Sequence, residues 1–140
     1  MEIYCTQCYS LLHRRIFKTR SFVRWMRKAG LADSALLKAV SEMAQGLVDA
    51  DLGGCVVKKR VALSGHGKRG GARTIVATTL TDRWFFLYGF NKNERNNIDP
   101  AELKMLQEIA KELLSFDDRQ LAIALANGEI QEVSCDNTQA

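Results

Sequence analysis

Residues 56–77 read VVKKRVALSGHGKRGGARTIVA, with six Lys and Arg, four Gly and no carboxylate. Side chains of a strand alternate between its two faces. Lys58 and Arg60 therefore project from one face of VVKKRVAL, while Lys59 turns to the other with Val57 and Val61. Arg73, at the start of the next strand-like run, joins Lys58 and Arg60 where the register permits. Three cations held together grip phosphates and stabilise negative charge developing on a phosphoryl oxygen. Lys58, Arg60 and Arg73 are thus the candidate catalytic residues. Lys59, with Lys68 and Arg69 at the tip of a Gly-rich loop, is a candidate nucleic-acid contact. Solubilising surface charge is the competing explanation for all six.

Other chemistries fit less well. Gly65, Gly67 and Gly70 satisfy G-x-G-x-x-G, but that dinucleotide-binding fingerprint requires a following helix whose N–H groups hold the pyrophosphate. Here the β-branched run ARTIVATTL follows, so the glycines read as a flexible hairpin loop. No Lys-Ser or Lys-Thr follows a P-loop spacing. His66 titrates near neutrality and could serve as a base, though a loop histidine is more often incidental. Cys5 and Cys8 form a lone C-x-x-C with His13 nearby, and Cys55 and Cys135 lie far away. Structural zinc sites pair two close couples, so reduced thiols, no metal and no cofactor are expected.

The net charge of +4 hides a polarity: residues 1–98 hold 17 Lys and Arg against 7 Asp and Glu, and residues 99–140 hold 3 against 9. Such asymmetry suggests a cationic face for a polyanion, RNA or DNA, and an acidic segment outside it. The 140 residues suit one domain. No run is long and apolar enough for a membrane helix, and MEIYCTQCYSLLHRR carries its positive charges after the apolar part, the wrong order for a secretory signal. A cytoplasmic protein without membrane contact is expected.

The elements that must position these cations follow from periodicity. RRIFKT, residues 14–19, alternates as a half-buried strand. Ser21 is placed to cap a helix through FVRWMRKAG, where Phe22, Trp25 and Met26 share a face and Gly30 provides the stop. Asp33 or Ser34 caps a second helix with a stripe of Leu36, Val40, Met43 and Leu47. After Gly53-Gly54, CVVKKRVAL and ARTIVATTL read as strands, and a turn at Thr81-Asp82 leads into a third, RWFFLYGF. Short links imply an antiparallel meander. Asp99-Pro100-x-Glu102 reads as a capping box with Pro at the first helical position, followed by Leu103, Leu106, Ala110 and Leu113 on one face. A last helix spans residues 117–127, with Asp117 at its cap and Gly128 closing it. The order indicates an α+β fold, a small, mainly antiparallel sheet with helices packed on one face, plus C-terminal helices.

VVKKRVA, GKRGGARTIVA and FFLYGFNKNERNNID, in that order, resemble the RelE/HigB-type toxins of bacterial toxin–antitoxin modules, within the RelE/ParE superfamily. The resemblance covers a single domain from residue 15, strongest over 47–99, and leaves residues 1–14 as an N-terminal extension. It implies a metal-independent endoribonuclease acting on messenger RNA at the ribosome, restrained by a helix-turn-helix antitoxin. By position, Lys58 and Arg60 match the family's basic strand residues and Arg73 its contact to the scissile phosphate. Lys92 and Arg95 match the basic segment after the last strand. Two departures stand out. Asn93 occupies the place of a second phosphate-binding arginine, and Ile98-Asp99 the place of a catalytic tyrosine or histidine. A lysine is protonated at neutral pH, so Lys58 acts as a base only where burial or neighbouring cations favour its neutral form. The missing base keeps open a non-catalytic nucleic-acid-binding protein on the same fold, and some relatives suggest a topoisomerase target instead. The acidic C-terminal helices could pack on the basic sheet of a second copy, giving a homo-oligomer.

Overall fold

In the computed structural model the elements, in chain order, are β1 (Arg15–Thr19), α1 (Arg20–Ala29), α2 (Asp33–Ala44), β2 (Ala50–Gly53), β3 (Val56–Leu63), β4 (Gly67–Thr78), β5 (Arg83–Asn91), α3 (Pro100–Leu114), α4 (Asp118–Ala126) and β6 (Ile130–Val133). The structure describes residues 14–63, 67–95 and 97–133, and of residues 67–70 the backbone alone. The valine- and aromatic-rich β3, β4 and β5 form the expected antiparallel meander. Around it the sheet takes the order β2-β3-β4-β5-β1-β6, with β1 parallel to β5 and every other pair antiparallel. The α+β class is borne out.

Both faces of the meander carry apolar rows, so both must be covered. Phe22 and Met26 of α1 and Leu36, Val40 and Met43 of α2 pack against Val57, Val61, Val76, Trp84 and Phe86. On the other face Leu106, Ala110 and Leu113 of α3 and Leu121 and Ala124 of α4 pack against Val56, Ile75, Ala77, Phe85, Leu87 and Phe90. Packing on one face thus describes α1 and α2, and the C-terminal helices take the opposite one.

Several local expectations shift by a residue or a turn. Thr19, not Ser21, caps α1, its hydroxyl accepting from the Phe22 N–H. At α2 the cap is Ala32, without a side-chain bond. Asp33 instead sits in the first turn, where the helix dipole favours a carboxylate, and accepts from Lys18 Nζ at 2.8 Å. Leu47 is 54% exposed because α2 ends at Ala44, before the stripe reaches it. β4 begins at Gly67 rather than Ala72, since β3 continues to Leu63 and offers Gly67 a ladder partner. The strand rather than helix after the glycines removes the dinucleotide-binding geometry. At α3 the capping box forms as read, Asp99 accepting from the Glu102 N–H and Glu102 from the Asp99 N–H. Asp117 and Gln120 make the same reciprocal pair at α4.

One irregularity decides which aromatic residues face which way. Ile75 pairs with Tyr88 but Val76 pairs with Phe86, leaving Leu87 as an extra residue in β5. Such a bulge breaks the alternation. Trp84 and Phe86 consequently face α1 and α2, whereas Tyr88 and Phe90 face the side of α3 and α4. Gly89 then lies under Trp25, where an added Cβ would come within 2.4 Å of the indole ring carbons.

Candidate functional site

The ladder aligns two rows across the meander. Lys58 pairs with Ile75 and Ile75 with Tyr88; Arg60 pairs with Arg73 and Arg73 with Phe90. Directly paired residues share a face, and Ile75 and Phe90 belong to the α3/α4 side. Lys58, Arg60, Arg73 and Tyr88 therefore lie on one face, as alternation requires of the first three. Paired Cα atoms are about 4.5–5.5 Å apart, so Arg60 and Arg73 stand side by side and Lys58 is their diagonal neighbour.

Partners distinguish the cations. Arg60 Nε donates to Asp49 Oδ1 at 3.0 Å and its backbone N–H also binds that carboxylate, yet its side chain stays 45% exposed. Arg73 is half-buried, and its Nη1 is buried with no hydrogen-bond partner. Among the described residues neither Lys58 nor Arg73 is in an ion pair. A guanidinium with five donors and no carboxylate partner suits an incoming phosphate.

Lys59 is a correction. It is 5% exposed, on the α2 side with Val57 and Val61, donating to the Leu47 carbonyl at 2.9 Å and pairing with Glu42 at 2.8 Å. Its ammonium ties α2 and the segment after it to the sheet, and is held away from the face that carries Arg73.

After β5 the chain turns through residues 92–94, with Lys92 and Asn93 exposed. Arg95 folds back instead. Its guanidinium forms a two-pronged pair with Glu102, donates to Tyr88 Oη at 3.2 Å and to the Asn97 carbonyl at 2.9 Å, and lies 5.6 Å from the Phe90 ring centroid. The bond to Glu102 holds the Arg95 pKa well above its ordinary value. In return Arg95 first, and then the Asp99 N–H, lower that of the Glu102 carboxyl. The side chains of Lys68 and Arg69, together with His66, Cys5, Cys8, His13 and the rest of residues 1–13, lie outside the described residues.

A family model described as the RelE toxin of the RelE/RelB toxin–antitoxin system matches residues 14–133. The chain belongs to the RelE toxin family. Among curated proteins none matches it in sequence. Membership bears out the resemblance carried by VVKKRVA and its neighbours, and makes the chain the toxin of a toxin–antitoxin pair, with an antitoxin for partner. Among the described residues no helix is long and apolar enough to cross a membrane.

Sequence reasoning overlooked Tyr88, which reads as one more core aromatic in RWFFLYGF. The usable signal was its polar hydroxyl within an apolar run, since a buried phenol needs a partner. Its face could not be read without the bulge at Leu87.

Proposed function

We propose that this RelE-family toxin is a metal-independent endoribonuclease that cuts messenger RNA, acts in the cytoplasm and works on the ribosome. The carrying observation is Arg73, placed beside Arg60 with Lys58 diagonal to it, its guanidinium unclaimed by any carboxylate among the described residues. In this reaction the RNA 2′-hydroxyl attacks the adjacent phosphate, so the nucleophile is internal to the substrate. The protein must bind the phosphate, neutralise charge growing on its oxygens and move protons. Arg73 takes the scissile phosphate, Arg60 supports it from the neighbouring strand, and Lys58 is the residue placed to receive the 2′-hydroxyl proton. Lys92, Asn93 and the cations Lys68 and Arg69 at the start of β4 contact flanking nucleotides. The antitoxin, a helix-turn-helix protein, covers the cationic strands.

The test is Arg73→Ala. Induced expression of the wild-type protein arrests growth, and the variant does not, while circular dichroism shows the fold intact. Equal arrest by the variant refutes the assignment. RNA incubated with the wild-type protein, with and without ribosomes, acquires new 5′ ends. The pairing of Arg60 with Asp49 and of Arg95 with Glu102 favours a second reading, a surface that binds nucleic acid and does not cut it. Intact RNA in both conditions, with salt-sensitive binding, selects that reading.

A further inference from the structure

We propose that Tyr88 is the proton donor to the leaving 5′-oxygen, with Arg95 as its positioning residue; this rests on the endoribonuclease reading above. Attack by the 2′-oxygen expels the 5′-oxygen from the far side of phosphorus, and attacking and leaving atoms lie roughly in line. Base and acid must then flank the phosphate-binding group from opposite sides. The sheet supplies that order, with Lys58 on β3, Arg73 on β4 and Tyr88 on β5, all on one face. Lys58 and Tyr88 share one ladder row through Ile75, so they stand about 10 Å apart at the backbone. Arg73 occupies the next row between them.

The hydroxyl of Tyr88 is also prepared to give up its proton. Its oxygen accepts a hydrogen bond from Arg95 Nη1 at 3.2 Å, which leaves the O–H free to point elsewhere. Arg95 is fixed in turn by Glu102, at 3.0 Å from the same nitrogen, and by its seat over Phe90. The Arg95 N–H already donates to the oxygen on which negative charge grows as the proton leaves. The step balances. The 2′-hydroxyl proton passes to the neutral Lys58 amine as the P–O2′ bond forms. The P–O5′ bond breaks as the Tyr88 proton moves to O5′. The products are a 2′,3′-cyclic phosphate and a 5′-hydroxyl, and solvent returns a proton to Tyr88 and removes one from Lys58.

The experiment uses Tyr88→Phe, which keeps the ring on Phe90 and removes only the hydroxyl. Cleavage is followed at a linkage the wild-type protein cuts, under the ribosome condition in which it cuts, with the natural 5′-oxygen or with sulfur in its place. A sulfur leaving group departs without a proton. The variant should cut the oxygen substrate about 10²–10⁴-fold more slowly, match the wild-type protein on the sulfur substrate, and bind an oligonucleotide lacking the reactive 2′-hydroxyl equally well. Wild-type rates on the oxygen substrate, equal slowing on both substrates, or lost binding each overturn the proposal and leave the endoribonuclease reading standing. If the wild-type protein cuts neither substrate with or without ribosomes, that reading falls and takes this one with it.

Discussion

Lys58 and Lys59 are neighbours in sequence with the same charge, and substituting each in turn separates the two faces of β3. Lys59→Met keeps an apolar stem of similar length and removes the ammonium that holds Glu42 and the Leu47 carbonyl. Breaking a buried ion pair by removing one of its charges costs about 3–5 kcal/mol. The Glu42 side chain retains 19% exposure, which places the cost at the low end, about 3 kcal/mol. For a chain of this size that lowers Tm by roughly 10 °C. RNA affinity of the folded fraction should not change, because the ammonium faces α2. Lys58→Ala should do the reverse. Its side chain has no ion pair among the described residues, so Tm stays near the wild-type value, while loss of one phosphate contact on a single strand makes the slope of log K against log salt shallower by about 0.7. Thermal unfolding and filter binding across a salt series read both quantities. A Lys59→Met protein with wild-type Tm and weakened RNA binding would show that the assignment of faces is wrong.

Gly89→Ala should destabilise the protein by about 1–3 kcal/mol through overpacking, since its Cβ would collide with the Trp25 ring; unchanged urea unfolding would mean that Trp25 moves aside without cost. Glu102→Gln retains a capping side chain and loses the charge paired with Arg95. Because Arg95 lowers the Glu102 pKa in the folded state, the stabilisation is present above the ordinary carboxyl value, about 4.3, and is lost as pH falls through the lower folded value. The wild-type advantage over this variant in unfolding free energy should therefore shrink below about pH 4.3, and a gap constant from pH 7 to pH 3 would refute it. Asp117→Ala removes the cap of α4 and should cost about 1 kcal/mol, read as a lower urea midpoint with an unchanged slope.

What was legible in the sequence depended on how local the determining physics is. The capping box of Asp99 and Glu102, the cap at Asp117 and the stop at Gly30 depend on residues close in sequence, and they appear where read. Strands of eight or more residues announce themselves by composition, so β3, β4 and β5 were visible. β2 and β6 have four residues each, too few for a period, and exist because a neighbouring strand offers a ladder edge. The parallel pairing of β1 with β5 joins segments separated by about half of the chain and leaves no local trace. Alternation put Lys59 on the opposite face from Lys58 and Arg60, but its counter-charge, Glu42, comes from α2 through tertiary packing. Arg95 misled for the same reason. Its sequence context is basic and exposed, and Glu102 had already been assigned to a cap, which left its second role unread.

That double role links the fold to the site. Glu102 accepts from the Asp99 N–H to start α3 and grips Arg95, and Arg95 bonds Tyr88 and covers Phe90. The bulge at Leu87 is what brings Tyr88 and Phe90 to that side of the sheet. Continued alternation from Trp84 and Phe86 would have sent both rings to the α1/α2 face and left Arg95 with only Glu102 and the Asn97 carbonyl among these partners. The geometry around Arg73 thus depends on one inserted residue in β5 and one carboxylate at the start of α3. Substitutions there act on stability and on the face that carries Arg73 together, whereas changes confined to Lys58 act on that face alone.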